Sequence, residues 1–539
     1  MHTMRTTTVL PADLTLVPAM RLAAGFGAIK LALTFALTLY TQHLGYGYFR
    51  DEFYYIACGR YLAWGYVDHG PIVALQARLG EILFGDSLFG IRVLSAFAGA
   101  LTVFLGGLLT WGLGGRRPAQ ALAMIGLIAC TQYIGVDGFL SMNSYEPVFW
   151  SVCILAVLRI ERKAASHDAT LLKWWMIFGV SAGIGLLNKP SMTFFLIAVA
   201  LGLVVTPQRR VLFARYAAVG IALMILIALP NVIWQIHNHW PTLEFLRNGR
   251  AEGKNAILAP LPFFIAQIVA LQPLTALLWI TGIVALLRAK SIQQTRWLGL
   301  TFLFFYVIMD VAHAKDYYLA PIYPAFFAAG AVAWEHRFAT RALVRRSATF
   351  AFPIYETTLV VGTLVVLPMA SPVLRPAAWV SYTKRLHLVH QETETSSTGP
   401  LPQFYADRFG WNEQLALVLA AFRSLTPEEQ KRVCIFGADY GEAGAINFLG
   451  PRQQPDLPLA ISGQNSYWTW GTHGCDPNLV IAIIPDSASD IGSKYEDVHF
   501  MGQINSPYAM PFERSRKIYL LRDRRPTAPF HWADERSYY

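Results

Sequence analysis

Charge is what this sequence has least of. Only 14% of its 539 residues are charged, while 54% are hydrophobic. Ordinary soluble domains are about a quarter charged. The shortage excludes one large water-soluble core, because such cores stop growing well below this length. Cysteine is scarce too, and five residues exclude a disulfide-built scaffold. Cys130 and Cys153 fall in or beside apolar runs. Cys434 and Cys475 fall near the C-terminus, where they either pair in an oxidising compartment or remain two thiols. No internal repeat of fixed period is seen, so nothing points to a repeat array. A cleavable signal peptide is not expected. The stretch before Leu22 is polar and proline-broken, and the first apolar run is too long for a signal segment.

What is present is a series of apolar runs, many long enough to cross a bilayer as helices. Eleven are read: 22–40, 88–112, 119–135, 147–158, 174–187, 193–205, 213–234, 261–287, 297–311, 318–334 and 350–367. The fourth to sixth are short, so the reading is about eleven to thirteen spans. Basic residues orient them. With the N-terminus inside, the inner loops hold about sixteen Lys and Arg, among them Arg116, Arg159, Arg209, Lys290, Arg341 and Arg345, against about eight outside. The net charge of +10 is then anchoring charge and needs no nucleic acid.

The pattern changes after Leu367. "SPVLRPAAW" is a proline-punctuated exit and "HQETETSSTGPLPQ" a polar linker. "KRVCIFGADYGEAGAINFLG" then reads as strand, turn and helix, and "NLVIAIIP" and "RKIYLLRD" as strands. The expected architecture is a mainly α membrane protein. A multi-span part with a large first external loop (41–87) occupies residues 1–368, and an extracytoplasmic α/β domain occupies 369–539. The first loop and a second one, 235–260, mix aromatics with charge as interfacial helices do.

The first loop holds "YFRDEFYYIACGRYLAWGYVDHGP". Adjacent Asp51 and Glu52 at the outer end of a span are costly unless they meet water, a cation or a partner. Either can serve as a cap for an interfacial helix. Both together, beside Arg50, Arg60, Asp68 and His69, suggest chemistry. A carboxylate placed here can take a proton from an acceptor hydroxyl or amine. A second, Glu52 or Asp68, can orient that acceptor, and Asp68 with His69 offers two ligands to a divalent metal ion, a weak set. Lys189 in "LLNKPS" and Lys315 in "HAKDYYLAP" face the same side, as do Arg247, Arg250 and Lys254. Fixed cations there suit a phosphate leaving group, and Tyr317 and Tyr318 add hydroxyl donors. Asn143, Tyr145 and Glu146 form a third external cluster with no assigned role. A transporter or flippase of a lipid-linked saccharide is the competing class. Against it stand the missing repeats, the lack of charge in mid-span and the one-sided polar clustering.

"RDEFYYIACGRYLAWGYVDHGP", "GLLNKPS" and "AKDYYLAPIYPA", in that order, resemble the bacterial membrane glycosyltransferases of family 39, relatives of protein O-mannosyltransferases and of the lipid A aminoarabinose transferase. "YGEAGAINFLGP…PLAISGQNSYWTWG" resembles the outer domain of a bacterial subgroup. The resemblance implies a GT-C helical bundle in the bacterial inner membrane, with the C-terminal domain outside. It implies a polyprenyl-phosphate sugar as donor and inverting transfer to an envelope acceptor (lipid A, another glycan or protein). It implies Asp51 as general base, with Glu52 beside it. Arg50, Tyr54, Arg60, Tyr66, Asp68, His69, Lys189, Lys315, Tyr317 and Tyr318 are the candidate contacts to sugar and lipid phosphate. In the aminoarabinose transferases the first loop ends in a "Glu-Lys-Pro-Pro" type motif. Here His69 stands at the lysine, and it is fully charged only when protonated.

Overall fold

The computed structural model describes residues 16–164, 170–253, 256–288, 295–339, 342–388 and 399–539. Lys254, Lys290 and Arg341, and most of the polar linker, lie outside the described residues. In hydrocarbon every backbone polar group must be satisfied within its own segment, so apolar runs fold as helices. All eleven do. α1 (Leu16–His43) leads to two loop helices, α2 (Arg50–Arg60) and α3 (Pro71–Phe84). The bundle continues through α4 (Leu88–Gly112), α5 (Arg117–Ala129), α6 (Thr131–Val136), α7 (Glu146–Ala164), α8 (Leu171–Asn188), α9 (Ser191–Val204) and α10 (Ala217–His237). α11 (Pro241–Ala251) is a second loop helix. α12 (Pro260–Ala270), α13 (Ala276–Arg288), α14 (Arg296–Val311), α15 (Tyr323–Ala339) and α16 (Ala342–Ala370) complete the bundle. Neighbours in sequence are not always neighbours in space: α1 lies on α4, α8 on α10, α13 on α15 and α9 on α14.

Among the described residues, five helices (α1, α4, α8, α10 and the 350–370 part of α16) are long and apolar enough to cross a membrane alone. The chain is an integral membrane protein. The run 261–287 is not one straight span. It breaks at Gln272 and Pro273, and its halves meet at 105°. Gln272 takes a positive φ of 74° and its side chain accepts from Thr275 N, while Pro273 has no amide to continue the helix. The expectation of no charge in mid-span also needs correcting. Lys30, halfway along α1, pairs with Asp137 at 2.7 Å and donates to the Tyr133 carbonyl at 3.2 Å. A buried ammonium is tolerable when so paired.

After α16 come α17 (Pro376–Leu386) and α18 (Gln403–Ala406), then α19 (Trp411–Arg423) and α20 (Pro427–Gln430). β1 (Val433–Gly437) turns into α21 (Tyr440–Leu449). β2 (Ala460–Ile461), β3 (Asp476–Ile484), β4 (Tyr495–Gln503) and β5 (Lys517–Arg524) complete a five-stranded sheet of order β2-β1-β3-β5-β4. β1 runs parallel to β2 and β3, and β5 antiparallel to β3 and β4. Asp439 caps α21 by accepting from Gly441 N and Glu442 N, and Glu442 reaches back to Asp439 N.

This C-terminal unit shares one core with the first loop. Phe53 meets Trp411 edge-on at 5.5 Å and Phe448 at 6.0 Å. Tyr54 packs on Tyr440 at 4.7 Å. Gly444 permits the approach, since a Cβ there would stand 2.9 Å from that of Phe53. α2 is therefore not an interfacial helix with a lipid-facing aromatic belt. Residues 52–59 are buried under the C-terminal unit.

Cys434 and Cys475 are paired, which joins β1 to the start of β3 across 41 positions. On chain-entropy grounds a link of that length stabilises the folded state by about 4 kcal/mol. Cys434→Ser is therefore expected to lower the melting midpoint of the purified protein and to expose one extra alkylatable thiol. An unchanged midpoint in non-reducing buffer would show that the link carries no stability.

Candidate active site

Two polar clusters meet at the end of the bundle that carries the C-terminal unit. The first grows from α2. Asp51 and Glu52 are neighbours in sequence but point to different jobs. Glu52 is fully buried. Arg92 from α4 grips it with Nε–Oε1 at 2.8 Å and Nη2–Oε2 at 2.7 Å. Its oxygens also accept from Phe49 N at 2.8 Å and Leu140 N at 2.9 Å. Burial alone would raise its pKa, but Arg92's charge and hydrogen bonds, with help from Arg408 and the Leu140 amide, hold it below the usual carboxylate range. This ionised carboxylate is saturated by protein donors and has no face left for an acceptor.

Asp51 is half-buried, and its Oδ1 accepts from the Tyr440 hydroxyl at 2.8 Å. Burial, opposed by Arg50's charge and reinforced by Asp51's, pushes the Tyr440 hydroxyl well above its ordinary pKa, so it stays a donor. Tyr54 donates to Asp68 Oδ1 at 2.7 Å and accepts from Ser466 N at 3.2 Å. His69 is buried among the rings of Tyr54, Tyr55 and Tyr66, with centroids 5.5, 5.2 and 4.7 Å away. Its Nδ1–H donates to the Gly70 carbonyl at 2.8 Å, and Nε2 lies 3.6 Å from Cys58 Sγ.

The second cluster surrounds Lys189, a buried ammonium between α8 and α9. It donates to Asn143 Oδ1 at 2.7 Å and Glu146 Oε2 at 2.9 Å. It also sits 4.2 Å from the ring of Tyr318 and 5.3 Å from that of Tyr317. Ser191 donates to the other oxygen of Glu146. Lys315 is partly buried on the same segment as these tyrosines. The clusters adjoin where Gly70 backs onto the Leu187 carbonyl. A Cβ on Gly70 would stand 2.0 Å from that oxygen, so only glycine lets "DHGP" lie two residues from Lys189.

The structure thus brings together Asp51, Tyr54, Asp68 and His69, and separately Lys189, Tyr317 and Tyr318. Three further candidates have structural partners of their own: Arg50 and Tyr66 at the edge of the first cluster and Arg60 outside it. Arg50 lies over the rings of Tyr440 and Phe512, at 5.4 and 5.2 Å, with Asp51, Asp407 and Asp439 compensating its charge. Arg60 is exposed and pairs with Glu81 at 2.8 Å. The Tyr66 hydroxyl donates to the Cys58 carbonyl at 2.8 Å, which closes its own loop. Among the described residues, no group of three metal-ligating side chains includes Asp68 or His69. The group that does form is Asp439, Glu442 and Glu513, where Arg516 already binds Glu442 and lies 3.5 Å from Asp439. Sequence reading left out Tyr440, Ser466 and Arg92, and gave Asn143 and Glu146 no role. Tyr440 is 389 positions from Asp51 and carries no local signal of the contact.

A sequence model described as dolichyl-phosphate-mannose-protein mannosyltransferase matches residues 68–234. A protein named undecaprenyl phosphate-alpha-4-amino-4-deoxy-L-arabinose arabinosyl transferase, from Pseudomonas paraeruginosa, is 32% identical over 171 residues, which are 31% of this chain and 30% of that protein. One of the same name from Pseudomonas fluorescens is 28% identical over 176 residues, 31% of this chain and 29% of that one. The aligned stretch therefore spans less than a third of these curated relatives. The crystal structure of ArnT from Cupriavidus metallidurans in the apo state superposes with a TM-score of 0.57 at 14% identity, covering 92% of this chain and 98% of that one. The same protein bound to undecaprenyl phosphate gives 0.56, also at 14% identity, over 94% and 99%. At that identity the likeness establishes the fold: the chain has the ArnT fold along nearly its whole length, and within it residues 68–234 match the model described as dolichyl-phosphate-mannose-protein mannosyltransferase.

Proposed function

We propose that the chain is an inverting glycosyltransferase of the bacterial inner membrane. It moves a sugar from a polyprenyl-phosphate donor to an envelope acceptor (lipid A, another glycan or protein) outside the cytoplasm. The observation that carries this is a half-buried carboxylate, Asp51, in one polar cluster and a buried lysine with two tyrosine faces, Lys189, in the adjoining one, in the fold that ArnT uses with undecaprenyl phosphate. Asp51 takes the proton from the acceptor hydroxyl as that oxygen attacks the anomeric carbon. The bond from sugar to phosphate breaks, and the phosphate leaves with the electron pair. Lys189 stabilises the charge that appears there. Glu52 holds α2 in place through Arg92 and is not a reacting group.

The disulfide between Cys434 and Cys475 supports a C-terminal unit, 369–539, in an oxidising compartment. That agrees with eleven spans across residues 1–368 and an inner N-terminus. The transporter reading loses one of its objections, since Lys30 carries charge halfway along α1, where it pairs with Asp137. Those two groups neutralise each other in a fixed pair, however, and offer no path.

Wild type, Asp51→Asn and Lys189→Met, the last paired with Glu146→Gln to keep the pocket neutral, are purified in detergent and their bound lipids identified by mass spectrometry. Wild type and Asp51→Asn are expected to retain a polyprenyl-phosphate sugar. The Lys189 variant is expected to retain roughly tenfold less, in line with the loss of one charge-assisted contact. A folded wild type with no polyprenyl phosphate overturns the reading and favours a transporter.

A further inference from the structure

A second site lies near the Glu52–Arg92 pair. The outer ends of α6, α12 and α16 and the segment before α19 enclose a cavity of about 280 Å³. Its walls are mostly apolar: Val136, Val269, Met369 and Phe404 contribute. One cation looks into it. Arg408 is 7% exposed, and its Nε donates to the Phe404 carbonyl at 3.0 Å. Among the described residues no carboxylate lies within ion-pairing distance of its guanidinium. Glu52 is near enough to be felt but is committed to Arg92. Burial first, and then the charge of Arg92, pull the Arg408 pKa down to about 10. At neutral pH it remains a cation in an apolar pocket, which is costly unless a ligand supplies the anion. The cavity's one carboxylate, Asp316, spends an oxygen on Tyr317 N at 2.9 Å, and Tyr317 leads on to Lys189.

We infer that this cavity binds the phosphate head and first apolar segment of a membrane lipid, with Arg408 as the phosphate contact. A guanidinium matches phosphate oxygens with two parallel donors. The apolar walls match the chain, and they are built at the ends of α6, α12 and α16, along which the rest of the lipid can lie. The phosphate belongs either to the polyprenyl-phosphate donor or to a phosphorylated glycolipid acceptor. The inference rests on the proposed function for that choice.

Wild type, Arg408→Gln, Arg408→Lys and Ala270→Phe, the last filling the cavity from its wall, are purified full length in detergent. Each is titrated with undecaprenyl phosphate, undecaprenol and bisphosphorylated lipid A, with binding read by native mass spectrometry and by the shift in melting midpoint. One phosphorylated probe is expected to bind Arg408→Gln and Ala270→Phe at least tenfold more weakly than wild type, and Arg408→Lys nearly as well. Undecaprenol is expected to show no dependence on Arg408. Undecaprenyl phosphate as the affected probe places the donor in the cavity, and lipid A places the acceptor there. Equal binding of both phosphorylated probes by wild type and by folded Ala270→Phe or Arg408→Gln overturns the inference. If undecaprenyl phosphate binding survives in those variants but falls in the Lys189 variant, the proposed function stands without this site. A wild type that binds neither phosphorylated probe overturns both.

Discussion

Asp51→Asn is expected to lower sugar transfer by roughly 10²- to 10⁴-fold, the range general bases contribute. The substitution is nearly isosteric. The amide oxygen it introduces can still accept from Tyr440, so α2 and α21 stay docked at the contact now 2.8 Å long. What disappears is the ability to take a proton. The melting midpoint and the retained donor lipid should therefore match wild type, while the rate of product formation collapses. The neighbouring change, Glu52→Gln, makes the contrast. It removes the charge that Arg92 needs in a fully buried place and should act first on stability. If Asp51→Asn keeps a rate within about threefold of wild type, the proton goes elsewhere, and Asp68, 2.7 Å from the Tyr54 hydroxyl, becomes the next carboxylate to test.

How much of this was open to a reader of the sequence depends on how far apart the partners lie. Span helices are legible because lipid leaves the backbone one solution, and run length alone reveals them. The break in 261–287 also had its signal in "LQPLT", where a proline interrupts the run. β1, β3 and β5 read as continuous apolar stretches, since both of their faces are covered. β4, "YEDVHFMGQ", did not, because this edge strand is largely open to water and its polar residues, Glu496, Asp497, His499 and Gln503, follow no regular alternation. The sequence showed that polar chemistry gathers in the first loop, but it did not show how the loop divides it. Arg92 sits inside an apolar span and looked like part of it, yet it neutralises Glu52 from 40 positions away. Lys189 and Glu146 were each noticed, 43 positions apart, but nothing local says they touch. Lys30 was passed over inside α1 for the same reason.

The second large effect concerns the Arg92–Glu52 pair. Arg92→Met is expected to cost about 3–5 kcal/mol, the penalty for leaving one charge of a buried pair without its partner. Glu52 is 0% exposed and cannot turn to water, and it would still be held by the Phe49 and Leu140 amides. Stability should fall together with transfer, because α2 carries Asp51 one position away. A second substitution separates a positioning role from a catalytic one. Glu52→Gln in the Arg92→Met background removes the stranded charge yet keeps an amide oxygen for one of those two backbone donors. The double variant should recover a large part of the lost melting midpoint and some of the transfer rate. Each unmet backbone amide that remains costs about 1–3 kcal/mol, so recovery stays incomplete. If Glu52 were itself a reacting group, adding Glu52→Gln would recover stability while transfer stayed at the floor. If Arg92→Met alone leaves the midpoint unchanged, the pair does not hold α2, and Asp51 owes its position to Tyr440 and the C-terminal unit instead.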